Sequence, residues 1–133
     1  MTHLFLVAVG GAAGSVCRHY LAVFLAHRIT VGEFPVATWT VNVVGCLAAG
    51  IIMGLSERLT LLSAEARLLI FSGLLGGFTT FSAFAVETVT LLRRGDTGTA
   101  LLYAFLSVTI SLAALGLGLS LSQVIPWKGE PPV

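Results

Sequence analysis

The sequence predicts an all-α membrane protein: a single domain, residues 1–133, of four transmembrane helices with helix three broken mid-membrane. Three observations carry this. The 133 residues are 56% apolar and only 10% charged, with a mean hydropathy of +0.99; a soluble domain carries about 25% charged residues. Residues 34–56, 68–86 and 97–127 contain no charge, and each stretch is long enough to cross about 30 Å of hydrocarbon as a helix. Finally, paired glycines and paired threonines fall together in Gly76-Gly77-Phe78-Thr79-Thr80, near the middle of the third stretch.

Helix one is expected over residues 4–25. No Lys or Arg precedes it and no polar cleavage region follows, so a cleaved signal peptide is not expected. Gly10 and Gly14 form a small-xxx-small pair that favours close helix contact. Arg18 interrupts the apolar run, and a charge there is costly unless paired, wet or near an interface. Two readings stand: Arg18 snorkels to the headgroups, or it sits in a vestibule, attracting an anion or bracing helix three. His19 and His27 read as interfacial, since two histidines eight apart are a weak metal signal.

Arg28, Gly32, Glu33 and Pro35 mark a loop, so helix two begins near Pro35 or Val36. Within it, Thr38, Asn42, Gly45 and Ala49 share one face. A buried amide needs partners. Asn42 therefore either bonds to a neighbouring helix or presents its amide hydrogens to an ion pathway. Charged residues fill the loop from Ser56 to Arg67, and Ser63-Ala64-Glu65-Ala66 has a capping-box spacing for helix three.

Helix three is the unusual one. Gly76, Gly77, Thr79 and Thr80 weaken a helix near the bilayer middle, and an unwound segment there frees backbone groups. Freed carbonyls attract a cation; the N–H groups opening the second half attract an anion. Phe81 and Phe84 share a face. They are either aromatic core or ring edges, which are electropositive, turned to a narrow anion route. Glu87 lies on a similar face, as a gate or proton-sensitive residue, or as a carboxylate near the water boundary. Arg93-Arg94-Gly95-Asp96 is a tight turn before helix four, where Tyr103, Ser107 and Ser111 form a polar stripe that Thr99 extends. Pro126, Gly129, Pro131 and Pro132 end that helix, and Trp39 and Trp127 sit near span ends as interfacial anchors do. The apolar runs are too long, and alternate too little, for a β-barrel.

Several function classes drop out. A net charge of +1 offers no basic patch, so no nucleic-acid partner is expected. Cys17 and Cys46 lie in apolar segments and read as small hydrophobes rather than a disulfide. Ser82 has no histidine near it in sequence, and there are no paired carboxylates within a span, no Cys-x-x-Cys and no P-loop, so the chain is not expected to be an enzyme. With four spans, Arg58, Arg67 and Lys128 fall on one side and Arg28, Arg93 and Arg94 on the other. That balance leaves the positive-inside rule nothing to act on. Either helix one alone decides the orientation, or copies insert both ways up and pair antiparallel. Four helices do not easily enclose a pore, which favours a functional dimer.

Gly10-Gly11-x-x-Gly14-x-x-x-Arg18-His19-Tyr20, Thr40-Val41-Asn42-Val43-Val44-Gly45 and Gly76-Gly77-Phe78-Thr79-Thr80-Phe81-Ser82-Ala83-Phe84 resemble, in order and spacing, the signatures of helices one, two and three in the CrcB/Fluc family of fluoride channels. The resemblance spans nearly the whole chain. It implies an antiparallel, dual-topology homodimer in the bacterial inner membrane, passively exporting cytoplasmic fluoride through two pores, with no further protein partner. Phe81 and Phe84 would form the phenylalanine box, Asn42 would line the pore, and Tyr103, Ser107 and Ser111 would be the polar track. Arg18 and Glu87 would be the family's helix-one arginine and mouth-proximal glutamate. The carbonyls of Gly76 and Thr79 would hold a structural Na+ at the dimer centre, two from each subunit. Ala83 and Leu115 depart from the pattern, each where a hydroxyl is expected. The remaining alternatives are a small ion-coupled secondary transporter and a non-transporting membrane assembly protein.

Overall fold

The computed structural model describes residues 1–59 and 62–124. The expected end of helix four at Pro126 to Pro132, and the anchor Trp127, lie outside the described residues. Four helical segments are long and apolar enough to cross a membrane: Thr2–Arg28, Val36–Glu57, Ala64–Arg93 and Thr97–Val124. They are called spans one to four below. Helix two runs Val36–Leu59, beginning where Pro35 predicts.

The connections close as their residues dictate. Gly32 (φ 53°) turns the chain before span two, with Phe34 N–H donating to the Val31 carbonyl at 3.0 Å. Gly95 (φ 82°) ends span three, where the Asp96 N–H bonds to the Leu91 carbonyl and the Gly95 N–H to that of Leu92, both at 3.0 Å. This is a Schellman termination, open to glycine because it lacks a Cβ. Asp96 then caps span four by accepting from the Thr99 N–H at 3.1 Å. Ser63 caps span three through the Ala66 N–H at 3.2 Å. The capping box stays half made, because its return bond needs an acceptor side chain at position 66, where alanine stands.

Glycines set which spans touch. An added Cβ on Gly10 or Gly14 would run into the backbone of Leu69 or Leu74, and one on Gly77 into the backbone of Gly11. Spans one and three therefore meet backbone to backbone, as the small-xxx-small pair predicts. Spans two and four pack the same way, Gly50 against the Leu115 carbonyl and Gly118 against that of Leu47. On the outside, Phe5, Val9, Val16 and Tyr20 recur along one face of span one and Leu101, Phe105, Val108 and Leu112 along span four, all exposed. Such faces suit lipid or another membrane chain. Trp39 faces inward: it packs on the cluster Leu91, Ala100 and Tyr103, edge-on to Phe34 at 6.2 Å.

Span three is interrupted, but not at its glycines. Residues 64–78 are helical, wound wide as a π-helix over Leu68–Leu75. Gly76 itself is helical (φ −63°, ψ −35°). The backbone turns extended at Thr79 (φ −83°, ψ 154°) and Thr80 (φ −147°, ψ 115°), and a second helix runs Phe81–Arg93. The glycines provide the close approach to span one, and the threonines provide the break.

Candidate functional site

The break is held open by side chains. A helix would send the Thr80 N–H to the Gly76 carbonyl; here it donates to Asn42 Oδ1 at 2.8 Å, while Asn42 Nδ2 donates to the Thr80 carbonyl at 3.0 Å. Likewise the Ala83 N–H, four residues past Thr79, donates to the Thr80 hydroxyl at 3.2 Å. Thr80 thus caps the second half of the span, and its hydroxyl also meets that of Ser82 at 3.2 Å. The Thr79 N–H and hydroxyl both return to the Leu75 carbonyl at 2.9 Å.

Two grooves flank the break. One, of about 240 Å³, is lined by Asn42, Cys46, Phe81, Phe84, Ser107 and Ser111, with Thr79 and Thr80 at its wall. Five of the predicted pathway residues meet there. Phe81 is 77% exposed, so its ring is open to whatever occupies or covers the groove. Its centroid lies 5.3 Å from that of Phe84, which in turn packs at a tilt against Tyr103 at 5.2 Å. The Ser107 hydroxyl is buried with no hydrogen-bond partner among the described residues, a vacant donor on the groove wall. Asn42 bonds to a neighbouring helix, and its side chain also lines the groove.

The second groove, of about 520 Å³, lies on the other side of span three, along Ser15, Arg18, His19, Thr38, Ser82 and Ala83. Arg18 opens into this groove and not onto the phenylalanines, and among the described residues it makes no ion pair. Ala83 lines the same wall, so a hydroxyl there would face Arg18 rather than Phe81. Leu115 offers its carbonyl to Gly50 and belongs to the packing of spans two and four.

Tyr103 differs from its expected place in the polar stripe. It is fully buried, and its hydroxyl donates to Glu87 Oε2 at 2.6 Å. Thr38 donates to the other oxygen, Oε1, at 2.7 Å. Glu87 is a two-point acceptor joining spans two, three and four. Thr38 is a member of the site that its sequence position signalled only weakly: it shares the Asn42 face, one turn away. Antiparallel spans meeting at Asn42 and Thr80 also bring Thr38 near Glu87, two turns further along. Glu87 lines a cleft of about 180 Å³ that opens past Thr90 to the exposed pair Glu33–Arg94, 3.2 Å apart.

The break leaves two backbone carbonyls of span three without their helical donors. The N–H groups that would occupy the Gly76 and Thr79 carbonyls in a helix are the two diverted to Asn42 and Thr80. One chain thus offers two such oxygens. Among the described residues, no group of three His, Cys, Asp or Glu is placed to hold a metal.

Residues 5–119 match the family described as CrcB-like protein, Camphor Resistance (CrcB). The chain is 43% identical over 124 residues to the fluoride-specific ion channel FluC of Methylobacillus flagellatus, covering 93% of this chain and 97% of that one. It is 46% identical over 124 residues to the FluC of Paracoccus denitrificans, covering 92% and 97%. The FluC 1 of Moorella thermoacetica is 43% identical over 124 residues, covering 93% and 87%.

Proposed function

Because this chain belongs to the CrcB/FluC family of fluoride channels, a family of non-catalytic transport proteins, we propose that it is a passive, fluoride-selective channel that exports cytoplasmic fluoride. Its four apolar spans make it a multi-pass protein of the bacterial inner membrane.

The observation that carries the reading is the groove at the break. It joins two phenylalanine rings, the Asn42 amide and the hydroxyls of Ser107 and Ser111, with no acidic or basic side chain among them. Ring edges and neutral donors stabilise a small anion as it sheds water, and they lack the fixed countercharge that would trap it. The groove is open along one side, and Phe81 stands exposed at its edge. A second chain would close it. The pathway is therefore proposed to form at the interface of an antiparallel, dual-topology homodimer, with two grooves giving two pores. The balanced charges at the two ends of the spans favour insertion in both orientations.

The Gly76 and Thr79 carbonyls of both subunits are proposed to hold one Na+ at the dimer centre. When bound, that ion would give the four freed carbonyl oxygens a partner and would bridge the two broken spans. Export needs no energy source. Fluoride that enters as HF dissociates inside, and a membrane potential negative inside drives the anion out.

Fluoride efflux from liposomes holding the purified protein, with chloride as control, tests the reading. Rapid fluoride loss without chloride loss, and without a proton or sodium gradient, is the expected result. Flux that requires such a gradient, or no flux, overturns it.

A further inference from the structure

The groove at the break has an end, and the glycine contacts fix where it lies. Its span-two wall is Asn42 and Cys46, one turn apart, and its span-four wall includes Ser107 and Ser111, again one turn apart. One further turn along each span stand Gly50 and Leu115, and there the two backbones meet: a Cβ on Gly50 would overlap the Leu115 carbonyl. The contact continues beyond, with Gly54 against Ser122 and Gly118 against the Leu47 carbonyl. Helices that touch backbone to backbone leave no room for an ion between them. A route that follows the groove from Asn42 toward this end must therefore turn outward at the level of Cys46 and Ser111.

The hydroxyls mark the same stretch. Ser and Thr inside an apolar helix can bond back to a carbonyl of their own helix. On span four Thr109, Ser120 and Ser122 do so, at 2.7, 3.0 and 2.6 Å. Among the described residues, Ser107 and Ser111 make no such bond, although the Ser107 oxygen is buried. Free hydroxyls on span four thus line the groove as far as the Cys46 level, where it stops. Cys46 is partly exposed there, while Cys17, the other thiol, is exposed on span one and lines neither groove.

We propose that Cys46 limits conduction at this end of the route, as the side chain past which fluoride leaves the groove. This rests on the channel reading above, and adds to it a residue at the groove's end rather than at the rings. The groove's other polar members are an amide and hydroxyls, all stronger donors than a thiol. At the Cys46 level this chain gives a small anion one strong donor, the Ser111 hydroxyl. It does so where spans two and four converge, and sulfur takes more of that space than oxygen would.

The test is fluoride efflux from liposomes in chloride-free medium, with and without Ag+, a soft cation that binds thiolate sulfur. The proteins compared are native, Cys17→Ala, Cys46→Ala, Cys46→Ser and Cys46→Leu. Ag+ should slow efflux at least about tenfold in the native protein and in Cys17→Ala, and leave Cys46→Ala and Cys46→Ser unaffected. Without Ag+, Cys46→Ser should conduct about two- to fivefold faster than native, because it offers the anion a better donor. Cys46→Leu should conduct at least about tenfold slower. Native efflux indifferent to Ag+, or a block that persists in Cys46→Ala, overturns the proposal. So do native rates in both Cys46→Ser and a folded Cys46→Leu; if the leucine variant does not fold, the Ag+ comparison decides alone. Each of these failures leaves the channel reading standing. A native protein that conducts no fluoride overturns that reading, and this proposal with it.

Discussion

Asn42 and Thr80 exchange two hydrogen bonds, the side-chain amide of one pairing with the backbone N–H and carbonyl of the other at 2.8 and 3.0 Å. A side chain on span two therefore supplies what the helix ladder of span three gives up. The amide offers a donor and an acceptor side by side, and an ionised aspartate in its place keeps only the acceptor. Truncation leaves two backbone groups unpaired inside the membrane. Asn42→Ala should lower stability by about 1–3 kcal/mol and sharply reduce fluoride efflux. Thermal unfolding in detergent checks the first, and an unchanged midpoint would count against the staple.

Phe81 tests the pathway itself. With its ring 77% exposed and tilted against that of Phe84, it can be changed with little loss of packing in one chain. Phe81→Ile removes the electropositive edge and keeps bulk. Fluoride efflux should fall at least about tenfold, equivalent to a barrier raised by about 1.4 kcal/mol, while the protein still purifies folded. Native-like flux would remove the ring from the route.

Glu87 tests the three-span clamp. Both of its oxygens accept, so a glutamine keeps one acceptor and forces the other hydroxyl to turn and accept from its amide. A leucine leaves the Thr38 and Tyr103 hydroxyls without a partner, the latter in a fully buried residue. Glu87→Leu should therefore destabilise by about 1–2 kcal/mol more than Glu87→Gln. Equal melting temperatures for the two variants would show that the hydroxyls find other acceptors.

Gly14 and Gly11 form a matched pair for the contact between spans one and three. A Cβ at Gly14 would overlap the Leu74 carbonyl and lie 2.8 Å from the Phe78 nitrogen, while one at Gly11 meets nothing within 4 Å. Gly14→Ala should cost about 1–3 kcal/mol and Gly11→Ala almost nothing. Denaturant titration of both variants reads the difference, and equal effects would mean the helices slide freely.

Much of this was legible in the sequence because it depends on local pattern. Gaps between charges give the spans, Pro35 gives the start of helix two, and Gly10 with Gly14 gives a close contact. The common face of Thr38, Asn42 and Gly45 does meet span three, through Glu87, Thr80 and Thr79 in turn. What was not legible depends on a neighbour distant in the chain. Gly76, Gly77, Thr79 and Thr80 together read as a break, yet whether a glycine loosens a helix or lets another approach depends on what lies opposite; for Gly77 that is Gly11. The break falls within that run, at Thr79 and Thr80, where Asn42 takes up the freed backbone groups. Tyr103 shared the spacing of Ser107 and Ser111, but periodicity names a face and not its partner, and the carboxylate that takes its hydroxyl lies on another span. Arg18 likewise belongs to the second groove because of how span one lies on span three.

The glycine contacts pair spans that are not consecutive, one with three and two with four. Helices leaving the ribosome in order would find their closest companions only after an intervening segment had already entered the bilayer. Until span four arrives, Gly50 and Gly54 would present bare backbone to lipid chains that fit it poorly. Assembly of this bundle is therefore completed late and by its last helix, and a chain cut short after span three would be left with an unmatched notch rather than a smaller working unit.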